Sequence, residues 1–458
     1  MTLPDPSHGE PVPVRFRGGG TGAEVLSWGQ QDLWQVMQDK HNWLPIGKVL
    51  PLPAGTTLAG ATEDLAFVMG SFPSMRTRLR LEPDGPRQVV SESGEVALEL
   101  IDAPDDADPA ELARQVWWRN WRRDYDFERE WPLRMSVVRH RGVLTHRAWV
   151  MCHLVTDGIG ARVIVQELTA RDCSGSTAAL SALEQARWQR SPAGQRQCEA
   201  ALRYWGGVLR EVPARRFPER PGTGYPRYWQ GAFDSPATEL AARVVAARTC
   251  VEVPSVLLGF FAVALARATG QPRVVFQTNV SNRFRPGLAR TVSPVIQNGL
   301  FTMEVPDATV DEAVALTRRR ALVAYKHAYY HPGRRDELVA QVGRERGEPV
   351  DLGAMFNDRR LKPRDHGGPP PTAEQVRAAV PQGTFQWRHR QDEIEFYKLA
   401  VVINDHPETL DAAVTCDVHY VQPELVEACV RGVEEVAVAA ALDPDARTGV
   451  RSAVTGAR

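Results

Sequence analysis

Lysine, cysteine and long apolar runs are all scarce in this chain of 458 residues. Five lysines stand against 50 arginines. A bias of that kind reads as genome composition, and a run such as Arg318-Arg319-Arg320 reads as a solvated helix face. The six cysteines, at positions 152, 173, 198, 250, 416 and 429, show no Cys-x-x-Cys spacing. Neither a zinc site nor a redox pair is indicated, so no metal is expected. Scattered cysteines in a long chain point to a reducing compartment, hence to the cytoplasm. The longest apolar run, residues 253–266, is too short to span a bilayer and ends at Arg267. It reads as a buried helix opened by Pro254 and Ser255. The Pro- and Gly-rich N-terminus has no signal-peptide core, and no membrane association is expected. Excess charge is missing too. The formal net charge is −1, which implies no broad basic surface for nucleic acid.

What is present is enough apolar sequence, 43%, to bury more than one core. One short run carries chemistry: Met151-Cys152-His153-Leu154-Val155-Thr156-Asp157-Gly158, a His-x-x-x-Asp-Gly pattern. It offers a base that titrates near neutrality, a carboxylate four residues later and a bare backbone N–H, the parts acyl transfer needs. Residues 132–139 read as one strand, His140-Arg141-Gly142 as a turn, and 144–152 as a second strand ending at His153. After Gly158 the period changes: Ile159, Val163, Ile164, Val165 and Leu168 fit one helix face. Gly158 therefore falls at a helix N-terminus, where unpaired N–H groups and partial positive charge favour a developing oxyanion. The same local pattern also fits a hairpin packed on a helix around a buried histidine.

Other segments occur in a recognisable order. Ser27-Trp28-Gly29-Gln30-Gln31-Asp32-Leu33-Trp34, Met75-Arg76-Thr77-Arg78-Leu79, Phe127 with Pro132-Leu133-Arg134, the His153 run, Tyr204-Trp205 with Leu209, Asn282-Arg283 with Pro286, residues 294–300, Met355-Phe356-Asn357 and His419-Tyr420 together resemble the core motifs of condensation domains from nonribosomal peptide synthetases. The resemblance runs from about residue 25 to about residue 442. It implies an α/β fold with mixed sheets: two chloramphenicol-acetyltransferase-like lobes in a V arrangement, with the active site in a tunnel between them. On that template residues 1–22 are a loose N-terminal segment and 23–175 the lobe carrying the histidine. Residues 176–194 are a helical linker, 195–443 the second lobe, and 444–458 a flexible tail. Residues 212–228, rich in proline, read as an extended surface loop, and 361–384 as a crossover or lid.

The resemblance also assigns roles. His153 is the catalytic base or positioning residue, and the Gly158 N–H meets the oxyanion. Asp157 pairs with Arg283, contributed by the second lobe, in a structural salt bridge. Cys152 stands where the family has a first histidine. Strand alternation turns it away from His153, and a buried cysteine packs as a small hydrophobe; a nucleophilic role is the alternative. Gly160 replaces a serine common in the family, which predicts a wider pocket. Cys152, Gly160, Gln297, Asn298, Phe356 and Asn357 are the candidate tunnel residues, with Gln297 and Asn298 competing for one motif position and core packing the alternative for Phe356 and Asn357.

Three functions follow. The first is a condensation-type acyltransferase of nonribosomal peptide or antibiotic biosynthesis. It would join a carrier-bound acyl or aminoacyl thioester to an amine or hydroxyl acceptor, itself a small molecule or held on a second carrier protein. The chain itself binds no cofactor in this reading, since the phosphopantetheine thioester arrives on an acyl or peptidyl carrier protein. The chain length predicts that the carrier comes in trans. The second is an acyl-CoA-dependent N- or O-acyltransferase; the Asp-Phe-Gly-Trp-Gly motif of plant-type relatives is missing. The third is a catalytically silent docking module. Epimerisation would require a second acid/base residue, and none is identifiable.

Overall fold

The computed structural model describes residues 9–213, 216–217, 226–360, 368–392 and 397–450. The chain folds as two compact units. The first comprises Met1–Gln197 and Ser281–Gln297, the second Cys198–Val280 and Asn298–Arg458. The fold is α/β with mixed sheets, as expected.

In the first unit a five-stranded sheet runs in the order Glu10–Arg17, Ser93–Ala103, Leu133–His140, Val143–Cys152, Pro45–Pro51. Ser93–Ala103 and Leu133–His140 pair in parallel, and every other neighbour is antiparallel. A smaller sheet joins Gly22–Val25, Gly85–Val90 and Thr77–Glu82. The hairpin Leu133–His140 and Val143–Cys152 is buried along nearly its whole length. Alternate residues therefore reach different cores. Trp149 and Met151 pack with Leu65, Val68 and Leu98, whereas Val150 and Cys152 pack with Leu26, Met37 and Trp43. That two-sided demand fixes the register, because a slip of one residue would exchange the two faces.

Arg76 secures the start of this unit. It is fully buried and donates to the carbonyls of Met69 at 2.8 Å, Gly18 at 3.1 Å, Ser91 and Gly19. The N-terminal expectation is corrected here: from residue 10 the chain is a paired strand whose Val14 and Phe16 enter the core.

The second unit holds a seven-stranded sheet: Gln297–Glu304, Arg273–Val280, Ala354–Asp358, Leu399–Ile403, Leu410–Asp417, Tyr228–Ser235, Thr384–Gln391. The helix Val253–Thr269 buries every residue from Ser255 to Ala266, consistent with its apolar character on all sides.

Three further expected segments can be located. The proposed linker is helical: Ser174–Thr177 and Ala182–Arg190 belong to the first unit, and Pro192–Glu211 runs across the boundary at Gln197. Gln185 anchors that stretch by donating to Ser293 Oγ at 2.8 Å. The proposed tail is packed as far as residue 450, with Thr448 fully buried and accepting from Arg267 through its carbonyl at 2.5 Å. Residues 451–458 lie outside the described residues. Of the proposed crossover, 361–367 lie outside them too, as do 214–215 and 218–225 of the proposed surface loop. The remainder of the crossover contains the helix Ala373–Ala379 and the strand Thr384–Gln391, which pairs with Tyr228–Ser235. No single helix among the described residues is long and apolar enough to cross a membrane.

Candidate functional site

His153 is the first residue beyond the strand Val143–Cys152, in a turn that leads to the helix Gly158–Ala170. Its neighbours explain why it is held there. Cys152 and Leu154 enter one core cluster and Val155 another, so the turn is pinned on both sides while His153 stays half-buried.

Asp157 is the N-cap of that helix. Its Oδ1 accepts from the Gly160 N–H at 2.7 Å, satisfying one of the orphan donors at a helix start. Gly158 is the first helical residue and is exposed. Its N–H is one of the donors with no intrahelical acceptor, and nothing lies within 4 Å of where a Cβ would stand. A bare amide at the positive end of a helix thus sits five residues after the histidine.

The Asp157 carboxylate is fully buried. Arg283 Nη2 donates to its Oδ1 at 2.6 Å, and the Val295 N–H reaches its Oδ2 at 3.4 Å. Arg283 Nη1 in turn donates to the Thr291 carbonyl at 2.8 Å. Burial of both charges is tolerable because each is hydrogen-bonded as well as paired. Arg283 corrects the expected lobe assignment. It lies in segment 281–297, which belongs to the same unit as Asp157. That segment is tied down by Leu180 N–H to the Gly287 carbonyl at 2.8 Å, Thr291 Oγ1 to the Leu180 carbonyl at 2.6 Å and Arg290 to Glu167 at 2.9 Å. Val292 enters the core of the first unit.

Cys152 faces away from His153, into its core cluster, and burial pushes its thiol up to about 12. Its Sγ donates to the Trp43 carbonyl at 3.7 Å. Such a thiol stays protonated near neutrality and is a poor nucleophile; it is a packing residue, not a wall. Gly160 is corrected as well. It is buried, and a Cβ there would meet Thr156 Oγ1 at 2.4 Å and Asp157 Oδ1 at 3.4 Å. Its missing side chain makes room for the turn itself, with no space released to widen a pocket.

Gln297 is buried at the end of segment 281–297. Asn298 opens the second unit's part of the same strand. Its Nδ2 donates to Gln277 Oε1 at 3.1 Å and to Tyr397 Oη at 3.2 Å, and its carbonyl accepts from Tyr330 Oη at 2.7 Å. The two residues competing for one motif position thus belong to different units. Phe356 stacks on Phe261 at 5.1 Å inside the second unit's core, which corrects it from wall to core. Asn357 is buried beside it on the strand Ala354–Asp358.

Val295, Thr156 and Gly29 lie within the recognised motifs, yet sequence reading assigns them no role. The first acts through its backbone, which leaves no residue-type signal. The other two matter through close packing. Among the described residues no group of three or more His, Cys, Asp or Glu side chains is placed to hold a metal ion.

Comparison with known proteins gives a consistent result. The condensation domain family model matches residues 62–356. Bacitracin synthase 2 of Bacillus licheniformis is 22% identical over 283 residues, covering 59% of this chain and 10% of that protein. The chain thus spans about a tenth of the length of that curated relative. Among solved structures, the condensation domain from Monacolin K polyketide synthase MokA aligns with a TM-score of 0.69 at 16% identity, covering 94% of this chain and 100% of the other. The complex of the X-domain and OxyB from teicoplanin biosynthesis aligns with a TM-score of 0.67 at 15% identity, covering 95% and 97%. With the family model spanning more than half of its length, the chain belongs to the condensation domain family.

Proposed function

We propose that the protein is a condensation-type acyltransferase. It joins an acyl or aminoacyl thioester, held on the phosphopantetheine arm of a carrier protein, to an amine or hydroxyl acceptor. The observation that carries this reading is the juxtaposition at one turn. His153 is half-buried at a strand end, and the exposed Gly158 amide opens the following helix. The carboxylate between them is committed to Arg283 and the helix cap.

In this reading the acceptor's lone pair attacks the thioester carbonyl carbon. His153 takes the acceptor's proton, or holds the acceptor in line while the proton leaves. The Gly158 N–H receives the carbonyl oxygen as it gains negative charge; one such donor is worth about 3 kcal/mol. Collapse of the tetrahedral intermediate breaks the carbon–sulfur bond, and the thiol departs with a proton. No covalent enzyme intermediate is required. An α-amine acceptor, with a pKa near 8, is already partly neutral at pH 7, so placement outweighs base strength there. An alcohol depends more on proton removal. Asp157 holds the turn and takes no proton.

The test is a panel of carrier-bound thioesters, CoA thioesters and free amines and alcohols, with products read by mass spectrometry. Product from carrier-bound donors alone, lost in His153→Ala, supports the reading. Equal rates with CoA donors replace it with an acyl-CoA transferase. No turnover, together with binding of a partner protein, replaces it with a docking role.

A further inference from the structure

Within the first unit, segment 281–297 presents backbone atoms to two glycines. One is Gly160, already described, where Val292 Cα lies 3.5 Å from an added Cβ. The other is Gly29, the second residue of the helix Trp28–Lys40, which is buried. A Cβ on Gly29 would stand 2.2 Å from the Pro294 carbonyl oxygen, 2.9 Å from its carbon and 3.4 Å from the Val295 nitrogen. All three are backbone atoms, so no rotamer change relieves the overlap. The Val295 nitrogen is the same atom that donates to Asp157 Oδ2. The Val295 carbonyl accepts from Asn282 Nδ2 at 3.0 Å. Asn282 is adjacent to Arg283, which grips the other carboxylate oxygen. One peptide thus lies against Gly29 on one side and the Asp157 carboxylate on the other.

We infer that Gly29 is a positioning residue for the acyl-transfer turn: its lack of a side chain lets the Pro294–Val295 peptide seat closely enough to hold Asp157, and through Asp157 the turn that carries His153 and Gly158. The inference rests on the acyltransferase reading only for its catalytic consequence; the seating itself is structural. A side chain at position 29 must drive the Pro294 oxygen from 2.2 Å to beyond 3.0 Å. Relieving that overlap must shift or turn the peptide whose Val295 N–H makes the 3.4 Å bond to Asp157 Oδ2. A displacement of about 1 Å at a catalytic turn is enough to cost about a hundredfold in rate.

The experiment compares the full chain with Gly29→Ala and with Gly207→Ala, an exposed helical glycine whose added Cβ meets nothing within 4 Å. Hydrogen–deuterium exchange is read by mass spectrometry. Faster exchange in Gly29→Ala over both 291–297 and 153–163, with neither changed in Gly207→Ala, supports the inference. Unchanged exchange over either segment in Gly29→Ala overturns it. On active enzyme, Gly29→Ala should lower kcat about a hundredfold with KM unchanged, and should add little to Asp157→Asn. Losses that multiply in the double variant place the effect of Gly29 elsewhere and overturn the inference. If Gly29→Ala gives no soluble protein, Asn282→Gly loosens the same peptide while keeping the left-handed φ of 56°, and the same outcomes decide. Should the wild type turn over no donor, the acyltransferase reading fails, while the exchange result still decides the seating.

Discussion

Arg283 Nη2 lies 2.6 Å from Asp157 Oδ1, and both side chains are withdrawn from solvent, at 8% and 0% exposure. The carboxylate of the His-x-x-x-Asp-Gly motif is therefore an internal fastener. Removing it in Asp157→Ala would strand a buried guanidinium and uncap a helix. The expected loss is about 3–5 kcal/mol, seen as a lower midpoint in urea denaturation. Asp157→Ala with wild-type stability would refute the fastening role.

His153→Ala should behave oppositely. The residue is half-buried at a turn whose flanking residues supply the packing, so stability should stay within about 1 kcal/mol of wild type. Turnover should fall by about 10²–10⁴-fold if the imidazole handles a proton. Thermal melting and single-turnover kinetics on the same preparation separate the two effects. Equal loss of stability in both variants would argue against the division of labour.

Arg76 offers a test away from the chemistry. Its guanidinium joins four backbone carbonyls, and burial alone lowers its pKa. Arg76→Met should destabilise by about 3 kcal/mol or more, because each stranded buried acceptor costs about 1–3 kcal/mol. Arg76→Lys should recover little of this, since a lysine lacks the planar fork of donors.

Three thiols predict an alkaline limit. Burial pushes Cys152, Cys416 and Cys429 from an ordinary value near 9 up to about 12. Between those values the unfolded chain has lost protons that the folded chain keeps, so stability falls as pH rises. The slope is about 1.4 kcal/mol per pH unit for each thiol. Below pH 9 both states are protonated and the effect vanishes. Urea midpoints at pH 8, 9 and 10 measure it; Cys152→Ala should flatten the decline without abolishing turnover.

The hairpin before His153, the helix after it and the buried helix Val253–Thr269 were legible from the sequence, because periodicity is a local property and these segments carry strong apolar patterns. The Asp157–Arg283 pairing came from motif order. Its true setting did not, since membership of segment 281–297 in the first unit depends on non-local contacts. Phe356 resembled a wall residue because a motif position does not reveal which face of its strand is buried; three-dimensional packing put it against Phe261. Val14, Phe16 and Thr448 read as parts of loose ends, since short terminal segments show little pattern until a partner strand or guanidinium supplies the missing bonds.

The Ser281–Gln297 insertion has a practical corollary for anyone dissecting this protein. A fragment halted at Gln197 would keep the histidine but lose the cation that neutralises Asp157, together with the amide of Val295. Such a truncation would be born with a solitary interior anion, and supplying residues 281–297 as a separate peptide is the natural way to restore it.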